Sequence, residues 1–259
     1  MRYLSTFAAL AGGLFASTAV LAQAPAKPTI VLVHGAFADA SSWNGVAAEL
    51  SRDGYPVVAA ANPLRGAAGD AAYVAAIAKA TPGPVVLVGH SYGGTVISQA
   101  GADTPNVTGL VFVSAFAPEA GESSFELAGK FPGSTLGAAL APPVATPDGG
   151  QDLYVRQDQF PTQFAADVPL AQARLAAAAQ RPLALAAGEE KVQVAAWKTR
   201  PSWFIYGSKD LAIPPAAMAF MAERAHARKV VVVPGASHVV MVSHPHEVAT
   251  LIEEAASAQ

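Results

Sequence analysis

The chain is 259 residues long, 52% hydrophobic and only 14% charged, which excludes a disordered or heavily solvated polypeptide and fits one large α/β domain, or a core domain with an insertion. A formal net charge of -3 offers no basic footprint for nucleic acid, and no polyanionic partner is expected. With no cysteine in the chain, stability must come from a packed core rather than from disulfides.

Residues 1–22 have their own character: Met1-Arg2, then an apolar, small-residue run from Tyr3 to Leu21, then Ala22-Gln23-Ala24-Pro25. A short positive head, an apolar middle and small residues at the end describe a secretory signal peptide. The apolar part is short for a membrane-spanning helix. Cleavage after Ala24 would leave Pro25 directly beyond the cut, so cleavage after Ala22 is expected, giving a mature chain that starts at Gln23. The expected destination is a bacterial periplasm or the extracellular space, with no stable membrane association once the signal is removed.

From Pro28 onward, strand-like apolar runs alternate with amphipathic stretches. The expected strands are Thr29 to Val33, Pro56 to Ala60, Val85 to Val88, Leu110 to Val113, Trp203 to Tyr206 and Val230 to Val233. Helices are expected over Trp43 to Arg52, Ala71 to Ala80 capped by Asp70, Thr95 to Ala102, Pro215 to Arg224 and Glu247 to Ala256. That order implies a mostly parallel, doubly wound sheet covered on both faces. The rhythm breaks between Pro118 and Pro201, where prolines, glycines and large apolar residues such as Phe125, Phe131, Leu140, Phe164 and Trp197 occur without a comparable strand. The interval 118–200 is too long for a loop and reads as a helical lid inserted into a core made of 28–117 and 201–259.

The stretch Val85 to Gly94, VVLVGHSYGG, drives a buried strand straight into a serine flanked by glycines at the second position on each side. Such spacing suits a very tight strand-to-helix turn that presents the Ser91 hydroxyl. Two more strand ends run into loops carrying Asp210 (GSKDLAIPP) and His238 (PGASHVV). Parallel strands bring these ends to one rim, where open α/β sheets bind ligands. A serine hydroxyl needs a base to take its proton, and the base needs an acid to fix its tautomer, so Ser91, His238 and Asp210 are the candidate nucleophile, base and acid. Gly35, in VLVHGAF, lets the first strand turn sharply and leaves amides over the same rim that can hold an oxyanion. His34 and His90 read as turn-shaping or packing residues, and His226, His244 and His246 as surface or capping ones. Glu119 is a rival acid, less well placed than Asp210. There is no phosphate loop, dinucleotide fingerprint or clustered metal-ligand pattern, so no cofactor is implied.

With these residues in hand, the chain from about Pro28 onward resembles an α/β-hydrolase. HGAFADASSW and GASHVVMVSHP resemble the small serine esterases related to plant methylesterases and hydroxynitrile lyases, and bacterial esterases like them. The resemblance assigns Ser91 as nucleophile, Asp210 as acid, His238 as base and the backbone amides of Ala36 and Tyr92 as the oxyanion hole. It implies a carboxylic-ester hydrolase acting on a small-molecule ester through an acyl-enzyme. Lactonase, thioesterase, amidase and perhydrolase activities would use the same machinery, and a small-molecule binding protein could retain the fold. The lyases that resemble this chain carry a threonine after the first-strand histidine and a lysine after the catalytic histidine. Here those positions are Gly35 and Val239, and Gly35 is expected to leave room for a tetrahedral ester intermediate.

Overall fold

The computed structural model describes residues 27–258. The signal-peptide expectation for residues 1–22 lies outside them. Six strands form one all-parallel sheet: β1 Thr29–Val33, β2 Val57–Ala60, β3 Val85–His90, β4 Val107–Val113, β8 Ser202–Gly207 and β9 Lys229–Val233. Their spatial order is β2-β1-β3-β4-β8-β9. The helices that join and flank them are α1 Asn44–Arg52, α2 Ala67–Ala80, α3 Tyr92–Ala100, α9 Pro215–Arg224, α10 Val240–Ser243 and α11 Pro245–Ser257. After β1 the chain winds outward to β2, and after β3 it winds the other way to β4. Right-handed crossovers then put α1 and α2 on opposite faces, with the switch point between β1 and β3. The contacts agree, since α1 packs on α11 and α2 packs on α3.

The central strands carry β-branched and aromatic residues buried on both faces. Every residue of β3 is buried, and Phe112 of β4 stacks on Phe204 of β8 with ring centroids 4.6 Å apart. Burying such a ring contributes about 1.5–3 kcal/mol. The edge strands are wetter, with Val58 37%, Val230 44% and Val232 46% exposed.

Between β4 and β8 the chain forms the short helices α4 Ser124–Gly129, α5 Leu136–Ala139, α6 Phe160–Gln163, α7 Leu170–Ala179 and α8 Leu185–Glu189. It also forms a three-stranded antiparallel sheet of β5 Val144–Ala145, β6 Gln151–Leu153 and β7 Leu183–Ala184, which was not expected from the sequence. Strands of two or three residues are too short to show an alternating pattern. Asp70 also differs from expectation. It lies inside α2, whose N-cap is Gly66, because its carboxylate turns back to accept the Arg65 amide and the Tyr92 hydroxyl.

One of the tightest crossings in the fold is where α3 meets β1. A Cβ added at Gly93 would stand 2.3 Å from the Val33 carbonyl oxygen, so only glycine permits this approach. We expect Gly93→Ala to cost at least about 3 kcal/mol in urea denaturation. Gly69→Ala, on the open side of α2 with no described atom within 4 Å of the new Cβ, should instead gain about 0.5–1 kcal/mol.

Candidate active site

Ser91 connects β3 to α3 with φ 52 and ψ -122, a backbone conformation that costs a non-glycine residue about 1–3 kcal/mol. Neighbouring backbone holds it there. Its amide faces the carbonyls of Val113 and Ser114 at 3.3 and 3.2 Å, and its carbonyl accepts the amides of Gly94 and Phe116 at 2.9 and 3.2 Å. The strained turn is bonded at both ends, and it lifts the side chain out of the helix start toward a cavity of about 520 Å³.

His238 and Asp210 meet at the same rim. Asp210 Oδ1 accepts the amides of Ala212 and Ile213 at 2.8 and 2.9 Å, which fixes the plane of the carboxylate. Its Oδ2 lies 2.7 Å from His238 Nδ1, and both side chains are wholly buried. With Nδ1 facing a carboxylate, the ring proton sits on that nitrogen and Nε2 keeps its lone pair. Among the described residues Nε2 has no hydrogen-bond partner, Ser91 Oγ included.

His90 ties His238 to Ser91. It immediately precedes Ser91, its Nε2 faces the His238 carbonyl at 3.2 Å, and the two rings lie 4.8 Å apart. Burial above all, and then the neighbouring His238, pushes His90 well below the ordinary histidine value of 6.5. Burial also lowers His34, whose Nδ1 pairs with the Gly35 carbonyl at 3.0 Å while Asn62 donates to its own carbonyl at 2.9 Å. Both histidines shape the turn and its underside, as read from the sequence.

Ala36 and Tyr92 line the same cavity as Ser91. A Cβ added at Gly35 would lie 2.7 Å from Ser91 Cβ and 3.0 Å from the Tyr92 nitrogen, so the strand end is in contact with the elbow. This corrects the expectation that Gly35 leaves free room: the position is filled by the His90 carbonyl oxygen, Ser91 Cβ and the Tyr92 nitrogen. Among the described residues no backbone acceptor takes the amide of Ala36 or of Tyr92. Phe37, one residue on, adopts φ 61 and donates its amide to the Arg181 carbonyl at 2.9 Å, which pins the turn to the inserted segment. Beyond the elbow, the Tyr92 hydroxyl donates to buried Asp70 at 2.9 Å.

Other candidates are spread elsewhere. Glu119 pairs with Lys198. His226 and His246 are exposed, His246 facing Glu49 at 2.9 Å, and His244 lies 3.6 Å from Asp167. Val239 is buried and Lys209 is exposed. Among the described residues no group of three or more His, Cys, Asp or Glu side chains could hold a metal ion.

The inserted segment supplies the apolar walls of the cavity, including Phe125, Phe131, Leu140, Leu153, Phe164 and Leu183. Trp197, in contrast, serves structure by donating Nε1 to the Pro118 carbonyl at 2.9 Å. Sequence reading did not single out Phe164 and Asp167. The Phe164 ring lies 4.7 Å from that of His238, and Asp167 accepts the hydroxyl of Ser237, the residue before His238. Phe164 stood in the sequence only as one of many lid aromatics, and no local pattern marks Asp167.

A model of the alpha/beta hydrolase family matches residues 30–251. Among solved structures, polyneuridine aldehyde esterase is 22% identical with a TM-score of 0.76, covering 88% of this chain and 98% of that one. A pyrethroid hydrolase from Sphingobium faniae is 22% identical with a TM-score of 0.69, covering 89% and 98%. An extracellular alpha/beta-hydrolase from a Paenibacillus species is 24% identical with a TM-score of 0.69, covering 88% and 98%. At these identities the likeness is one of fold. No curated protein matches the chain.

Burial of neutral His90 and His34 has a consequence for stability. The unfolded chain takes up protons below about pH 6.5, while the folded state keeps both rings neutral to lower pH. Their contribution is therefore full above about pH 6.5 and is lost as pH falls below it. Urea midpoints should drop between pH 7.5 and pH 5.5, and His90→Gln should flatten that drop. An unchanged slope in the variant would show that His90 is not held neutral.

Proposed function

The chain belongs to the alpha/beta hydrolase family, and on that premise we propose that it hydrolyses carboxylic esters of small, largely apolar substrates, with Ser91 as nucleophile, His238 as base and Asp210 as the acid that orients it. The observation that carries the reading is the His238–Asp210 pair, 2.7 Å apart and fully buried, with Nε2 left unpartnered at the rim that also bears Ser91. A cavity walled mainly by aromatic and aliphatic side chains favours an apolar substrate. Esterases also stand among the structural neighbours.

In this reading Ser91 Oγ attacks the acyl carbonyl carbon while its proton passes to His238 Nε2. The carbonyl oxygen takes up the negative charge and is held by the amides of Ala36 and Tyr92, donors already fixed in place by the turns that carry them. His238 returns the proton to the leaving alcohol, and the ester bond breaks to give the acyl-enzyme. Water then attacks that acyl group, again losing its proton to His238, and the free acid departs as Ser91 recovers its hydrogen. Asp210 stays ionised throughout and stabilises the imidazolium. The segment 118–200 acts as a lid that walls the apolar cavity over Ser91.

The same reading disfavours cyanohydrin cleavage. Released cyanide needs a cation beside it in a partly dry pocket, yet Val239 offers none and Lys209 is exposed to solvent. We also infer export, supported by the composition of residues 1–22. Among the described residues no helix is long and apolar enough to cross a membrane.

Ser91→Ala and His238→Ala should each lower kcat on an aryl acetate by at least about a thousandfold, and Asp210→Asn by as much or somewhat less. His244→Ala and His246→Ala should stay near wild type. Equal damage from either of these, in a folded protein, would move the base away from His238. Benzaldehyde release from mandelonitrile faster than acetate release from the aryl ester would replace the esterase reading with a lyase.

A further inference from the structure

A second cavity, of about 410 Å³, adjoins the one at Ser91. Phe37 and Phe164 line both, so these two side chains form the partition between them. Their rings meet edge to face, 6.0 Å between centroids and 80° between planes. The polar groups around the second cavity are largely engaged within the protein. Asp39 accepts the Ser41 amide at 2.7 Å, and Gln180 bonds both the amide and the carbonyl of Val155 at 2.9 Å. Phe160, Val168, Leu175 and Val239 offer an occupant hydrocarbon, and the side chains of Asn44 and Gln172 add polar groups at the border. Leu175 is 73% exposed, so the lining reaches solvent there as an apolar edge.

The partition is built to yield. Phe164 is held through ring contacts, with Phe160 at 4.9 Å and His238 at 4.7 Å. A hydrocarbon chain that displaced the ring would exchange one set of apolar contacts for another and leave no buried polar side chain unpaired. We propose that the second cavity is a subsite for one arm of the substrate: it takes the apolar arm of an ester too long for the Ser91 cavity, and Phe164 sets the length of arm admitted. This deepens the ester-hydrolysis reading and rests on it. Because the same ring packs on the base, a long substrate that displaces Phe164 loosens His238, so wild-type enzyme loses kcat more than it gains KM as the arm lengthens.

Two variants act on the subsite in opposite directions. Phe164→Ala removes the partition, with Phe164→Leu as the milder change should the alanine variant fail to fold. Ala176→Trp, from an exposed position on α7 that borders the cavity, fills it from the solvent side. The readout is the ratio of kcat/KM for p-nitrophenyl decanoate to that for p-nitrophenyl acetate. We expect Phe164→Ala to raise this ratio about tenfold and Ala176→Trp to lower it about tenfold. Calorimetric affinity for a non-cleavable ketone bearing a decyl arm should move in the same directions. Ratios and affinities that stay within about twofold of wild type in both folded variants would overturn the proposal. Should no ester be turned over, the ester reading fails alone, and the ketone affinity still decides the subsite: weakening by Ala176→Trp upholds it, and no change refutes it.

Discussion

The first turn of α3 lies backbone against backbone on the end of β1, with the carbonyl oxygen of Val33 where a side chain at Gly93 would be. That approach places the strand end at Gly35 in contact with Ser91 and Tyr92. It leaves the serine no relaxed conformation, so Ser91 is held at positive φ by four backbone contacts from β4, the loop after it and α3. Ala36 and Tyr92 line the same cavity as Ser91. In the proposed reading, an oxyanion site made of their main-chain amides cannot drift unless the sheet itself moves. The strain at Ser91 is small beside the burial of β3 and its neighbours, and the core can sustain it.

The ring of His238 is held from two directions. From the core, Asp210 fixes the ring at Nδ1 and His90 meets the main-chain carbonyl. From the inserted segment, Phe164 packs on the ring and Asp167 holds Ser237. The segment that gives the cavity its apolar walls is therefore also part of the support for His238. Phe164 both lines the cavity and packs on the His238 ring, so changes that widen the cavity there also reach that ring.

What the sequence made legible follows from what is local. The VVLV run, the glycines around Ser91 and the loops ending at Asp210 and His238 carry their geometry within a few residues, because strand burial and tight turns each have a short-range signature. The elbow, the parallel sheet and the meeting of His238 with Asp210 could be read from them. The role of Gly35 was misread, because close approach of another strand's backbone leaves no mark in the stretch itself. The small sheet of β5, β6 and β7 is too short to show a period. The placing of Phe164, Asp167 and the Asp70–Tyr92 pair depends on how distant segments dock, and no spacing along the chain encodes it.

The central claim is that the Ser91 hydroxyl becomes covalently acylated. Treating the folded protein with a fluorophosphonate and mapping the adduct by peptide mass spectrometry tests this directly. One adduct per chain on the peptide containing Ser91, abolished in His238→Ala, is the result expected of a serine activated by that base. An adduct on another residue, or none in a protein that turns over esters, would contradict it.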